Sequence, residues 1–113
     1  MKIYIVEYNS YQANIFKEAF KGYQNLEVIN DDLLHFFNKH QDEIDCLVSP
    51  ANSYGHMSGG FDARLSDILG WDFQLQVQDY IKKNFNGEQP VGTSFIIDTP
   101  IKGVSLIHTP TMI

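Results

Sequence analysis

The feature that most constrains this chain is an alternation of short apolar runs and helical stretches over its first half. Lys2 to Val6 (KIYIV) is apolar and β-branched and reads as a buried strand. Asn9 or Ser10 can cap a following helix, in which Phe16 and Phe20 stand four apart, and Lys21-Gly22 ends it. Leu26 to Ile29 (LEVI) is a second strand. Asn30-Asp31-Asp32 supplies another cap, and Leu33, Phe36, Phe37 and His40 follow at helical spacing. Asp45 to Ser49 (DCLVS) is a third strand. Strand–helix–strand–helix–strand alternation calls for right-handed crossovers and a mainly parallel sheet with covered faces, an α/β fold.

The second half changes character. Pro50 to Gly60 (PANSYGHMSGG) is too long for a tight connection and is rich in small, turn-forming residues. A helix is expected from Phe61 or Asp62 to about Gly70, and a second from about Asp72 to Phe85. Phe73, Val77, Ile81 and Phe85 form a ladder along the second, and Asn86-Gly87 stops it. Val91 to Ile97 and Val104 to Thr109 read as two more strands, joined through Thr99-Pro100 and Gly103. The sequence shows no repeat, low-complexity segment or linker, so residues 1–113 are expected to form a single domain.

Composition narrows the function. Apolar residues make up 43%, enough for a core. The net charge is −6, the only arginine is Arg64, and the lysines are scattered. Binding to a nucleic-acid backbone or an anionic membrane calls for a dense basic surface, so both partners are excluded. A single small anion is not, because backbone N–H groups hold phosphate without basic side chains. Cys46 is the lone cysteine, which suits a reducing cytosol and a cytoplasmic location. No apolar run approaches the roughly 20 residues needed to span a bilayer.

The loop after the third strand is the natural place for chemistry, since open α/β sheets bind ligands beyond the C-terminal ends of their strands. Gly59 and Gly60 would let backbone N–H groups approach an anion, and the helix after them adds its positive end. Asn52 stands just past the strand, where its amide could meet a sugar hydroxyl. These parts suit a nucleotide diphosphate with a ribose attached.

Val48-Ser49-Pro50-Ala51-Asn52-Ser53, followed by Gly59-Gly60-Phe61-Asp62, resembles the signature of the macrodomain family. That signature is an apolar strand ending in a Val-Asn-Ala-Ala-Asn-type segment, then a glycine-rich loop and a Val-Asp or Ile-Asp helix start. Asp31-Asp32-Leu33 is similar to the family's Gly-Asp-Ile segment, and Leu106-Ile107-His108-Thr109 to its Ile-His-Thr strand end. The resemblance spans residues 26–113 and implies a three-layer α/β/α fold with a mainly parallel mixed sheet. It implies that Asp32 accepts a hydrogen bond from an adenine amino group with Leu33 beside it. Ala51, Asn52 and Ser53 would line the ligand, with Asn52 on the distal ribose. Gly59, Gly60 and Phe61 would wrap the diphosphate. In hydrolytic members, residues at the positions of Asn52 and Asp62 help place the attacking water. The chain departs from the family at Ser49 (Asn there), at Pro50 (Ala there) and in its shorter glycine run. It also stops at Ile113, before the family's last helix, strand and closing loop.

Each candidate has a structural reading beside the functional one. Asp32 is also a good helix N-cap, and the two roles can coexist. Asp62 sits where a helix dipole stabilises a carboxylate, and as a general base it would need a tuned pKa and a placed water. Asn52 also suits a turn. His108 reads as a hydrogen-bonded core histidine, and Cys46 as an inert core residue. His35 and His40 are five apart, poor spacing for one helix face, so no metal is expected, and no cofactor either. Ser58 lies outside any nucleophile elbow. Tyr54 or Phe61 could stack on a ribose or base.

Three functions follow from the sequence. One is a binding module for ADP-ribose, a related signalling nucleotide or an ADP-ribosylated protein. Another is a hydrolase that removes ADP-ribose from protein or deacetylates O-acetyl-ADP-ribose. The third is a homo-oligomeric interaction or sequestering protein, because a shortened domain exposes a strand edge and an apolar face.

Overall fold

A computed structural model describes residues Met1–Ile113. It shows an α/β fold with four helices and two sheets. The chain divides into two compact units, Met1–His40 and Gln41–Ile113.

In the first unit, β1 (Ile3–Val6) pairs in parallel with β2 (Leu26–Ile29), Ile3 opposite Leu26 and Val6 opposite Ile29. The crossover is α1 (Ser10–Ala19), opened by Asn9, whose Oδ1 accepts from the Gln12 N–H at 2.9 Å. α2 (Leu33–His40) follows β2 and turns Leu33, Phe36 and Phe37 inward. β1 is half-buried rather than buried, because each strand of a two-stranded sheet has one neighbour.

The second unit is built on a three-stranded sheet in the order β3-β5-β4. β3 (Cys46–Asn52) and β5 (Ser105–Met112) are parallel, and β4 (Phe95–Asp98) runs antiparallel to β5. The antiparallel return has a local cause. Residues 99–104 form a tight turn, with Gly103 at φ 84° and the Val104 N–H donating to the Ile101 carbonyl at 3.1 Å, and a connection this short cannot make a parallel crossover. α3 (Gly60–Leu69) and α4 (Phe73–Phe85) lie between β3 and β4 in the chain.

Two expectations need correction here. The strands do not form one sheet with covered faces. β3 turns Leu47, Ser49 and Ala51 inward while Val48 is 51% exposed, and β4 buries Phe95 while Ile96 is 62% exposed. This is the period-two alternation of a sheet packed on one face. Strand bounds also shift. β3 runs on through Pro50 to Asn52, because its only sheet neighbour is β5 and a missing N–H is tolerated on an edge. β4 begins at Phe95 rather than Val91, since Pro90 to Thr93 close a turn, with the Thr93 N–H on the Pro90 carbonyl at 3.2 Å. No helix is long and apolar enough to cross a membrane.

Candidate functional site

The second unit brings together Ala51, Asn52, Ser53, Gly59, Gly60, Phe61 and Asp62, while Asp32 and Leu33 belong to the first. Local chemistry decides what each is free to do.

Asn52 closes the loop on itself. Its Oδ1 accepts from the N–H groups of Tyr54 and His56, both at 3.1 Å, and its Nδ2 donates to the His56 carbonyl at 2.6 Å. Such a bonding pattern is an asparagine-bracketed turn. Ser53 is buried, and its N–H and hydroxyl both donate to the Met112 carbonyl, at 3.0 and 3.3 Å. Ala51 is buried in β3. Gly55 is required: its φ is 77°, and a Cβ there would stand 3.0 Å from Ile81 Cδ1. Met57 is buried, its N–H donating to Gln74 Oε1 at 3.0 Å and its carbonyl accepting from Ser66 Oγ at 2.6 Å.

Beyond Met57 the loop opens. Ser58, Gly59 and Gly60 are exposed, and Gly60 adopts φ 57° with open space where a side chain would stand. Gly59 occupies the N-cap of α3 and has no side chain to cap it with. The first α3 amide to close onto a carbonyl is that of Ala63, onto Gly59 at 3.3 Å. The N–H groups of Gly60, Phe61 and Asp62 therefore begin the helix outside its hydrogen-bond ladder. Together with the dipole they carry roughly half a positive charge at this end.

Directly behind lies a buried polar cluster. Asp62 is 7% exposed and Ser49 is fully buried, and Ser49 Oγ donates to Asp62 Oδ1 at 2.5 Å. Burial raises the Asp62 pKa above the usual carboxylate range, and the Ser49 bond opposes that rise. Ser49 stands opposite His108 in the β3–β5 register. His108 is fully buried, stacks on Phe95 and bonds to Gln89 Oε1 through Nδ1 at 2.7 Å. Gln89 Nε2 donates to the His108 carbonyl at 3.3 Å, so its Oε1 is the acceptor and His108 carries its proton on Nδ1. Nε2 is then a buried acceptor without a partner, and desolvation lowers the histidine pKa to about 4.

Sequence reading treated Ser49 only as a departure from a motif and so missed it as the partner of Asp62. The available signal was a polar residue in the inward row Leu47, Ser49, Ala51. In the first unit, Asp32 Oδ2 accepts from the His35 N–H at 3.2 Å, which is an N-cap bond, and Leu33 is buried.

The arrangement offers main-chain donors for an anion and, next to them in the chain, a protonatable carboxyl group shielded from water. Compared with known protein families the chain matches none, and no curated protein matches it.

Proposed function

We propose that this protein binds a diphosphate-bearing nucleotide, ADP-ribose foremost, either free or as the modification on an ADP-ribosylated protein. The observation that carries this reading is the uncapped start of α3. Gly60, Phe61 and Asp62 present amides outside the helix ladder, and the exposed Gly59-Gly60 pair keeps side chains out of the approach. Phe61, among these residues, is half-buried. Such a site needs no basic side chain, in keeping with a net charge of −6.

Calorimetry with ADP-ribose, and with adenosine as a control lacking phosphate, tests the reading. Heat is expected with the first and none with the second. Absence of both heat and a melting-temperature rise at millimolar ADP-ribose would remove it.

A second reading, hydrolysis of an ADP-ribose linkage, is favoured by Asp62. A buried carboxyl whose pKa burial raises above the ordinary carboxylate range, held by Ser49 at 2.5 Å, is the kind of group that serves in proton transfer. Turnover of ADP-ribosylated protein should then be lost in Asp62→Asn while binding survives. Turnover unchanged in that variant would leave the binding reading alone. Asn52 keeps a part in both readings through its second Nδ2 N–H, since Oδ1 accepts two loop N–H groups and Nδ2 gives one of its two donors to the His56 carbonyl.

A further inference from the structure

Asp62 is the third residue of α3, counted from the Gly59 N-cap. A carboxylate at this position ordinarily turns back toward the start of its own helix, where it accepts from the N-cap backbone N–H and meets the positive end of the dipole. Asp62 does not. The Gly59 N–H makes no bond within the chain, and Asp62 Oδ1 accepts from Ser49 Oγ at 2.5 Å instead. Ser49 is fully buried in β3, and Asp62 is 7% exposed.

That arrangement runs against the carboxylate's own preference. Burial raises the Asp62 pKa, so the ionised group would be better served at the exposed helix start. The way out is not closed. His108 Nε2 is the one sealed-in side-chain polar atom without a partner, so Asp62 Oδ2, which makes no bond within the chain, keeps contact with solvent. What holds the carboxyl inward is the Ser49 hydroxyl, fixed on a strand that is itself held by β5. A hydroxyl-to-carboxylate bond of this length belongs to the strong, charge-assisted class.

We propose that Ser49 is a positioning residue for the anion site: its hydroxyl holds the Asp62 carboxyl off the amides of Gly59, Gly60 and Phe61 and so keeps α3 from capping itself. The polar residue in the inward row of β3 thereby explains why a helix with an acidic residue in its first turn still begins with open donors. The consequence for ligand binding rests on the nucleotide reading, whereas the position of Asp62 does not.

Amide hydrogen exchange and calorimetry on the full chain test it, with circular dichroism to establish the fold of each variant. In the unaltered chain the Gly59 amide should exchange at the rate of an unprotected amide. Ser49→Ala frees Asp62 to turn back, so Gly59 exchange should slow at least tenfold and ADP-ribose affinity should fall at least tenfold. Adding Asp62→Ala to Ser49→Ala removes the competing carboxylate, and both readouts should return to their unaltered values. A merely structural role for the hydroxyl would not be repaired by a second truncation beside the first. The proposal is overturned by a protected Gly59 amide in the unaltered chain, by Gly59 exchange that Ser49→Ala leaves unchanged, or by an affinity loss that Asp62→Ala does not repair. Should the unaltered chain bind no ADP-ribose, the nucleotide reading fails alone, and Gly59 exchange in Ser49→Ala still decides where Asp62 is held.

Discussion

α2 and α3 each follow a strand of a parallel pair, yet their N-termini are finished in opposite ways. At α2, Asp32 Oδ2 accepts from the His35 N–H at 3.2 Å, and the Asp31 carboxylate accepts from the Asp32 N–H at 2.8 Å and pairs with the His35 ring at 2.6 Å. The His35 bond holds the Asp31 carboxyl below its ordinary range. At α3 there is no capping side chain, and burial drives the Asp62 carboxyl the other way, upward. Both helices have the same dipole. One spends it on carboxylates of its own, so an arriving anion meets negative charge. The other leaves it unspent, and the nearest carboxyl is the one most ready to take up a proton. A closed helix start stabilises the fold, whereas an open one gives up about 1 kcal/mol of capping energy and keeps a place for an anion.

Any test of that contrast by acid must first allow for His108, whose effect is the largest expected. Its pKa is about 4 in the fold against an ordinary value of 6.5. Between those values the unfolded chain binds a proton that the folded chain refuses, so stability is full above pH 6.5 and falls as pH drops toward 4. The loss should be about 2 kcal/mol, read by urea unfolding at pH 7 and pH 4.5. A flat profile across that window would mean that the imidazole is not sealed from solvent.

The contrast itself is best broken by closing the open end. Gly59 has φ −132° and ψ 154°, a conformation any residue adopts, so Gly59→Asp installs an N-cap without backbone strain. ADP-ribose binding should fall tenfold or more while the melting temperature holds or rises. Loss of binding together with loss of stability would point to damage rather than to occupied amides. The reciprocal change, Asp32→Ala, opens α2 and should cost about 1 kcal/mol in urea unfolding without creating an anion site, because Asp31 remains.

How much of this was legible in the sequence follows from the range of each interaction. Caps act over three or four residues, so Asn9, Asp32 and the Asn86-Gly87 stop could be read directly, and the four helices fall close to where periodicity puts them. Strand ends could not, because they depend on a partner far along the chain. Pro50 looks like the start of a loop until β5 is seen to be its only neighbour. The same is true of the site. The Gly59-Gly60-Phe61-Asp62 helix start is a local pattern, and the structure shows it uncapped. The Ser49–Asp62 bond joins residues thirteen apart across a loop. The Gln89–His108 pair spans nineteen. Neither has a periodicity to betray it. Asn52 shows how short-range bonding shapes a loop: its Oδ1 accepts from the N–H groups of Tyr54 and His56 and its Nδ2 donates to the His56 carbonyl, all within four residues.

The smallest expected effect concerns stability at Asp62 and sharpens the contrast most. A carboxyl whose pKa is raised by folding contributes stability below its unfolded pKa and loses it as pH rises through the folded value, so at neutral pH ionised Asp62 is a burden on the fold. Asp62→Asn keeps an oxygen for Ser49 Oγ and removes the charge. The variant should be more stable than the parent at pH 7, by less than about 1 kcal/mol, and the gain should shrink toward pH 4. An anion held by the amides of Gly60 and Phe61 would further disfavour the ionised carboxylate. ADP-ribose, whose diphosphate stays ionised, should therefore bind more tightly as pH falls through the raised Asp62 pKa, and Asp62→Asn should flatten that dependence. Asp31 gives the control, since its lowered pKa means stability present at neutral pH and lost on acidification, and Asp31→Asn should destabilise where Asp62→Asn stabilises. Were both variants to lose stability at pH 7, Asp62 would be an ordinary structural carboxylate, and the two helix starts would differ only in their caps.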